Sequence, residues 1–434
     1  MLEAIGNALR IPELRRKILF TLGLFLVFRI FAHIAVPGAD KAALDKLFNT
    51  NAFLGLLDLF SGGGLSTFSI IAMGVNPYIN ASIIMQLMTV VSTRMKELSK
   101  EGEFGRRKIT RWTRWLTVAL GLLQAWGLTL VFSRQGVLNN SISWFGIVGI
   151  MVTLTAGTVM LMWFGELITE YGIGNGISLV IFAGIVGRIP TTIYNLLTGG
   201  GQSNLAPLIL FAALAIVVTA FIIEVQQAQR KIPIQSAQRV VGHKVYQGRS
   251  SHLPLRVNQA GVIPIIFAIS IMFFPVIIGN FLATAPSPWG EISRALRTYW
   301  VPAGPNVPTD ILYNVVYFIL IFGFTYFYTA VTFDPVDTAD YLKKHAAFIP
   351  GIRPGVATAQ YLDRTMTRIT FAGALFLGGV TVLIPLLATA LTRIPTQNMY
   401  LGGTAILIVV GVALDTMKQI ETQLIMRQYK GFIK

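Results

Sequence analysis

The sequence predicts an all-α membrane protein with about ten helices that cross the bilayer, and two observations support this fold class. Of the 434 residues, 54% are hydrophobic and only 12% are charged, and the mean hydropathy is +0.65. A soluble protein typically carries about twice that share of charged residues. The apolar residues also fall into blocks of about 20 residues, which is the length that an α-helix needs to cross a hydrocarbon layer of about 30 Å.

The ten predicted spans alternate with loops of very different charge. We place the spans at residues 17–36, 75–91, 113–132, 142–168, 177–197, 205–226, 259–281, 311–331, 369–390 and 402–422. In this arrangement 27 of the 35 Lys and Arg residues lie on one side and 7 lie on the other. Because basic residues are retained in cytoplasmic loops, both termini and the long basic loops are predicted to lie in the cytoplasm.

The composition also excludes most kinds of catalytic site. The chain has no cysteine, which excludes thiol catalysis and cysteine-ligated metals. Its four histidines form no HExxH pair, and no phosphate-binding GxxxxGK[ST] motif or Ser/His/Asp set is present. We therefore expect a protein that is not an enzyme and that binds no cofactor or metal.

Residues 53–91 do not fit a simple hairpin between two spans. These mostly apolar residues are too many for one span, yet the charge pattern allows only one crossing. The first part, from Phe53 to Ile71, contains Asp58 and three consecutive glycines beginning at Gly62. Such a polar, glycine-rich backbone is tolerated at membrane depth only where protein or water surrounds it. The sequence indicates either a re-entrant segment that folds into the interior or an amphipathic loop on the outer surface.

A weak internal repeat relates the two parts of the chain. Gly74-Val75-Asn76-Pro77 opens the second span, and Gly261-Val262-Ile263-Pro264 opens the seventh. Because five is an odd number, equivalent spans cross in opposite directions, which is typical of an inverted repeat. Secondary transporters with broken helices also have inverted repeats, so a transporter is the alternative interpretation. Ion-coupled transport needs carboxylates in the middle of the membrane, and few are visible.

Several short motifs occur in one order along nearly the whole chain. They are Phe28-Arg29-Ile30, Pro37-Gly38, Phe60-Ser61-Gly62-Gly63, Pro77-Tyr78-Ile79, Ala81-Ser82-Ile83, Glu101-Gly102, Gly105-Arg106-Arg107-Lys108, Gly172-Ile173-Gly174-Asn175-Gly176-Ile177-Ser178, His252-Leu253-Pro254-Leu255, Ala347-Phe348-Ile349-Pro350-Gly351-Ile352-Arg353-Pro354-Gly355 and Gly402-Gly403-Thr404. With these motifs, the chain resembles the SecY family, the channel-forming subunits of the bacterial protein-export translocon.

The resemblance implies a particular fold and activity. Two inverted five-helix halves, residues 1–197 and 205–434, are expected to surround a central hourglass pore. Such a channel passes unfolded polypeptides across the membrane and releases hydrophobic segments sideways into lipid. The resemblance also assigns residues 57–70 to a plug that blocks the closed pore, which favours the interior position for the segment before the second span.

The resemblance further implies which residues form the pore. A ring of aliphatic residues is expected on spans 2, 5, 7 and 10, namely Ile79, Ile83, Ile181, Ile185, Ile266 and Ile408. An apolar ring blocks ions by dewetting without binding any particular peptide tightly. The plug residues are Leu57, Asp58, Leu59, Phe60, Ser61, Gly62, Gly63, Gly64, Leu65 and Ser66.

A lateral exit is expected between spans 2–3 and spans 7–8. Gln86 and Thr89 on span 2 and Gln124 on span 3 are polar groups within hydrophobic stretches. We expect them to form hydrogen bonds between helices, each contributing about 0.6 kcal/mol. Phe274 on span 7 occupies a position that the family associates with gating.

Two long basic loops, residues 227–258 and 332–368, are the expected docking sites for a SecA motor or a ribosome. The predicted contact residues are Arg239, Lys244, Arg249 and Arg353, and the last lies in a Pro-Gly-Ile-Arg-Pro-Gly turn. The first loop reads Gly242-His243-Lys244 where two adjacent strong bases are expected, so ribosome contact through His243 is predicted to be weaker or pH-dependent. The resemblance also implies SecE-type and SecG-type small subunits, signal sequences and nascent chains, contact with lipids, and a bacterial inner-membrane location.

Overall fold

The computed structural model describes most of the chain and shows ten long helices in the predicted order. The described residues are 10–50, 54–55, 58, 61–138, 143–198, 205–236, 239–241, 244–246, 250–282, 286, 288–300, 308–392 and 403–431. The ten helices are α1 (Pro12–Phe31), α3 (Asn76–Val91), α5 (Glu103–Arg134), α6 (Trp144–Tyr171), α7 (Gly176–Thr198), α8 (Leu205–Gln227), α9 (Ile263–Phe281), α11 (Pro308–Thr332), α13 (Val356–Thr392) and α14 (Gly403–Gly431).

The ten helices differ in how well each alone could span a membrane. In the described part of the chain, five stretches are long and apolar enough: Glu103–Arg134, Trp144–Tyr171, Ile311–Lys344, Val356–Ala388 and Gly403–Met426. Three shorter apolar helices are Gly176–Thr191, Ala212–Gln227 and Ile263–Val276. Helix α1 carries several charges in its first turns, and α3 has 16 residues. A helix of that length relies on its protein neighbours at both ends.

Four short helices occupy the connections between the long ones. Helix α2 (Lys41–Thr50) follows α1, and α10 (Trp289–Tyr299) follows α9. Helix α4 (Thr93–Lys100) follows α3, and α12 (Pro335–Lys344) follows α11. Helix α12 begins sharply because the Asp334 carboxylate accepts hydrogen bonds from the amides of Val336 and Asp337, at 2.9 and 3.2 Å.

A small sheet, which the sequence analysis did not predict, joins the two long basic loops. Strand β1 (Gln229–Ser236) pairs antiparallel with β4 (Ser250–Arg256), so that Gln229 lies opposite Arg256. Its other edge pairs with β5 (Ala347–Phe348), which comes from the second loop. Strands β2 (Arg239–Val241) and β3 (Lys244–Tyr246) form a separate hairpin. A small apolar cluster, which includes Ile232, Leu255, Ile349, Leu362 and Met366, forms where the two loops meet.

The long helices pack mainly against their neighbours in sequence, and a few contacts join the first seven helices to the rest. Helix α5 packs against both α3 and α6, while α11 packs against both α9 and α13. Across the two groups, α9 contacts α3 and α5, and α7 contacts α14. One large apolar cluster draws residues from both groups. The candidate site lies where these contacts meet.

Candidate functional site

The segment before α3 folds into the interior of the protein. From Ser61 to Val75 the chain runs through successive turns, and Pro77 in the first turn of α3 marks where the helix begins. Leu65 is 2% exposed and Phe68 is fully buried. Of the predicted plug residues, Leu57, Leu59 and Phe60 lie outside the described residues.

Hydrogen bonds attach this segment to the residues just after α1. The Val36 amide donates to the Phe68 carbonyl at 2.8 Å, and the Ile70 amide donates to the Ile34 carbonyl at 3.1 Å. The Thr67 hydroxyl donates to the Ala32 carbonyl at 2.8 Å. The segment forms no regular helix, so its backbone N–H and C=O groups need other hydrogen-bond partners at membrane depth. These bonds supply some of them.

Asp58 is the centre of the polar contacts within the segment. Its side chain is fully buried, and its Oδ1 accepts hydrogen bonds from the Ser61 hydroxyl at 3.1 Å and from the amides of Leu65 and Ser66 at 2.9 Å. Its Oδ2 forms an ion pair with Arg188 Nη1 on α7. A buried carboxylate is tolerated only when it is paired and hydrogen-bonded, and here both conditions are met.

A second arginine holds the same segment from α1. Arg29 Nη1 donates a hydrogen bond to the Gly62 carbonyl at 2.9 Å. For this arginine inside the first span, the sequence predicts snorkelling or a structural pair, and in the structure its guanidinium binds the backbone of the segment before α3. Arg188 lies within the predicted span 177–197, where the sequence assigns it no partner, and the structure places it within α7. In both cases a charged residue inside an apolar span indicates a buried polar contact. The local sequence does not show which residue is the partner.

The first of the three glycines permits a close approach to two helices. Gly62 has a φ of 68°, and a Cβ there would lie 2.7 Å from Phe28 Cζ on α1 and 2.9 Å from the Gly184 Cα on α7. Both separations are too short for a real Cβ. Glycine is therefore required for steric reasons as well as for its backbone conformation.

All six predicted ring isoleucines are buried in the large apolar cluster, together with Leu65 and Phe68. Ile408 is fully buried, Ile181 and Ile185 are 1% exposed, Ile79 and Ile83 are 4% exposed, and Ile266 is 6% exposed. They come from α3, α7, α9 and α14, the helices through which the two groups touch. The isoleucines on α3 and on α7 are four residues apart, so each pair lies on one helix face.

The predicted gate residues lie on α3, α5 and α9, and α9 contacts both of the other helices. The Gln86 amide donates to the Ser82 hydroxyl at 3.4 Å, and the Thr89 hydroxyl donates to the Gln86 carbonyl at 2.7 Å. These bonds stay within α3 and do not cross to another helix, because groups one turn earlier are the nearest partners. Gln86 Oε1 is buried and accepts no hydrogen bond from the described residues. Gln124 and Phe274 are half-buried.

A polar cavity of about 580 Å³, which the sequence analysis did not predict, opens between the ends of α7, α8, α9, α11 and α14. Its walls carry many carboxamide side chains, among them Asn175, Gln226, Asn258, Gln259 and Gln419. Arg256 and Asp415 also line it, with 3.7 Å between their charged atoms. Val262 and Ile263 also line the cavity, and both belong to or pack against the large apolar cluster.

The predicted docking residues lie on the two loops that the small sheet connects. Arg353 is exposed in a turn between Gly351 and Gly355, whose φ angles are 80° and 103°. Arg239 and Lys244 belong to the β2–β3 hairpin. Arg249 and His243 lie outside the described residues. No group of three or more potential metal ligands occurs in the described ranges.

Comparisons with known proteins agree with one another. A family model named SecY matches residues 69–417. The Protein translocase subunit SecY of Halalkalibacterium halodurans is 46% identical over 446 aligned positions, which span the whole of both chains. A solved structure described as a protein conducting channel has a TM-score of 0.66 and covers 96% of each chain at 20% identity. Sec61 in the canine ribosome-channel complex from the endoplasmic reticulum has a TM-score of 0.62 and covers 96% of each chain at 19% identity.

Proposed function

The chain belongs to the SecY family, so it is a protein-translocating channel and not an enzyme, and we propose that an isoleucine ring and a plug together close its pore. Membership of this family removes the secondary-transporter alternative. The single observation that carries the proposal is the burial of six isoleucines from four helices in one cluster with the segment before α3.

The ring consists of Ile79, Ile83, Ile181, Ile185, Ile266 and Ile408. Their low exposure supports this role, because a constriction that no water enters denies an ion its hydration shell. Aliphatic side chains bind no particular peptide sequence, so a translocating chain can displace them without being held. The polar cavity beside α9 would then be the entrance, where carboxamides and the Arg256–Asp415 pair offer hydrogen bonds to a passing chain.

The plug consists of residues 57–70. Its support is the burial of most of its described residues and its hydrogen bonds to α1 and to the residues just after it. The glycines at Gly62 and Gly63 allow the segment to turn tightly, with φ angles of 68° and 91°. A compact segment of this kind fills the pore when no polypeptide occupies it.

The lateral gate is the seam between α3 and α5 on one side and α9 on the other, with Gln86, Thr89, Gln124 and Phe274 along it. The unpartnered Gln86 oxygen supports the assignment. A buried acceptor without a donor costs about 1–3 kcal/mol, so this seam is weaker than one closed by apolar packing alone. A hydrophobic segment that enters the seam opens it towards lipid.

The basic loops dock the partners that drive translocation, namely a SecA motor or a ribosome, through Arg239, Lys244, Arg249 and Arg353. The sheet that joins both loops supports a single docking platform. A Sec61 channel of the same fold has been solved in a ribosome complex, which supports the ribosome as a partner. Small membrane subunits of the SecE and SecG type complete the channel.

The proposed setting is the inner membrane of a bacterium, with both termini in the cytoplasm. The excess of Lys and Arg in alternate loops supports this orientation. Residues 1–197 and 205–434 are the two halves of the channel, and the limited contacts of α9 with α3 and α5 and of α7 with α14 support a division between them.

Photocrosslinking to an arrested translocating polypeptide tests the pore. Probes at positions 79, 266 and 408 should crosslink to the arrested chain. Matched probes at the lipid-facing Ile84 on α3 and Ile278 on α9, which are 38% and 49% exposed, should not. Equal crosslinking from ring and control positions would contradict the ring assignment.

A further inference from the structure

Two arginines from different helices grip the segment that we assign to the plug. We propose that Asp58, Arg188 and Arg29 form a polar latch that holds the plug on the N-terminal half of the channel. This inference rests on the proposed function of residues 57–70 and adds two residues, Arg29 and Arg188, that position the plug without forming part of it.

Asp58 contacts both the backbone of the plug and the helix that holds it. One oxygen of the Asp58 carboxylate binds the backbone amides of Leu65 and Ser66, and the other pairs with Arg188. The same carboxylate therefore organises the plug turn and connects it to α7. Any movement of Arg188 is transmitted to the backbone of the plug.

The burial of the ion pair makes it sensitive to the loss of either partner. The Asp58 side chain is fully buried and that of Arg188 is 17% exposed. Exposed ion pairs contribute little because water competes for both charges. When one partner of a buried pair is removed, the other becomes an uncompensated charge in an apolar site, which strongly destabilises that arrangement.

The latch belongs to one half of the protein. In the part of the chain that the structure describes, the hydrogen bonds of residues 58–70 to other elements end on α1, on the residues just after it and on α7. A Cβ on Gly63 would lie 3.8 Å from both Arg29 Nη1 and Arg188 Nε, so both guanidinium groups lie against the plug backbone. On α6, Gly157 lies directly against the Ile70 carbonyl.

The consequence is that gate opening and plug release are separate steps. Helix α9 can move away from α3 and α5 without breaking any bond of the latch. The plug then stays with α1 and α7 until the Asp58–Arg188 pair is broken. A closed seal can therefore persist while the lateral seam admits a hydrophobic segment.

The absence of cysteine allows a direct test in the full-length chain. Leu65→Cys places one thiol on a plug residue that is 2% exposed, so the rate of maleimide labelling in proteoliposomes reports plug displacement. Asp58→Asn and Arg188→Gln are introduced separately and together. Asn retains an acceptor oxygen for the two amides and loses only the charge.

The latch predicts faster labelling by about tenfold or more in each single variant, because each removes one charge of a pair whose carboxylate is fully buried. The double variant should label more slowly than the product of the two single effects, which is the sign of direct coupling. Arg188→Lys retains the charge and should remain close to the parent. Glu166→Gln, which breaks the Arg114–Glu166 pair between α5 and α6 (2.8 Å), is the matched control and should not change labelling.

Deletion of residues 57–70 separates failure of the latch from failure of the plug. If the deletion raises ion conductance but Asp58→Asn and Arg188→Gln leave both labelling and conductance unchanged, the latch is wrong and the plug stands. Additive effects of the two substitutions would also overturn the pairing. If the deletion itself leaves conductance unchanged, the plug assignment is wrong and the latch falls with it.

Discussion

Asp58 and Arg188 are 130 positions apart in the chain, and their side chains form an ion pair inside the protein. Asp58 belongs to the glycine-rich segment before α3, and Arg188 belongs to the second half of α7. The pair explains how a segment with a carboxylate can lie among apolar helices. Each polar group that it brings into the interior needs a partner there.

Gly62→Ala should displace the plug. The new Cβ would meet Phe28 and Gly184 at separations that no real Cβ adopts, and a φ of 68° adds strain of about 1–3 kcal/mol. We expect a higher ion leak through reconstituted channels, measured as conductance. Gly136→Ala is the matched control, because Gly136 has a φ of 71° and no atom within 4 Å of its Cβ position. An equal leak in both variants would show that backbone strain alone, and not the steric clash at Gly62, causes the increase in conductance.

Ile408→Asn should weaken the seal of the pore. This side chain is fully buried, and an amide without partners costs about 1–3 kcal/mol in such a site, which favours a hydrated, open ring. Ion leak should rise and the discrimination against defective signal sequences should relax. Ile425→Asn, at a 55% exposed position on the same helix, should leave both unchanged. An unaltered conductance in Ile408→Asn would remove this residue from the ring.

Gln86→Leu should strengthen the closed lateral gate. The substitution removes a buried oxygen that accepts no hydrogen bond from the described residues, and so removes a cost of about 1–3 kcal/mol to the closed seam. Insertion of weakly hydrophobic signal sequences should slow, while strongly hydrophobic ones should insert normally. The measurement is the hydrophobicity at which half of a graded series inserts. A threshold that stays the same or falls would contradict the gate assignment.

Arg353→Glu should block motor-driven export. Arg353 is exposed in a turn between two glycines with positive φ, so the substitution reverses a docking charge without disturbing a buried contact. The variant should insert into the membrane normally and should lose stimulation by the motor. Arg134→Glu, at an exposed position at the end of α5 and outside both basic loops, is the control and should export normally. Continued export by Arg353→Glu would show that docking depends on other residues.

The number and order of the long helices could be predicted from the sequence because lipid imposes a local requirement. Each span must be about 20 apolar residues long, and this pattern is visible without knowledge of any neighbour. The described structure has a long helix at each of the ten predicted positions. The local sequence also indicates that residues 53–71 do not form a lipid-facing helix, because such a helix does not contain consecutive glycines and a carboxylate.

Tertiary structure alone decided which groups meet. The partner of Asp58, the contact between Arg29 and the Gly62 carbonyl, and the sheet that joins the two loops all connect residues that are distant in sequence. Gln86 and Thr89 were expected to bond between helices, and the structure shows bonds within α3. Hydrophobic burial depends on composition and period, which are properties of a stretch of chain. Hydrogen bonds and ion pairs depend on two atoms being brought within about 3 Å, and only the packed helices determine that.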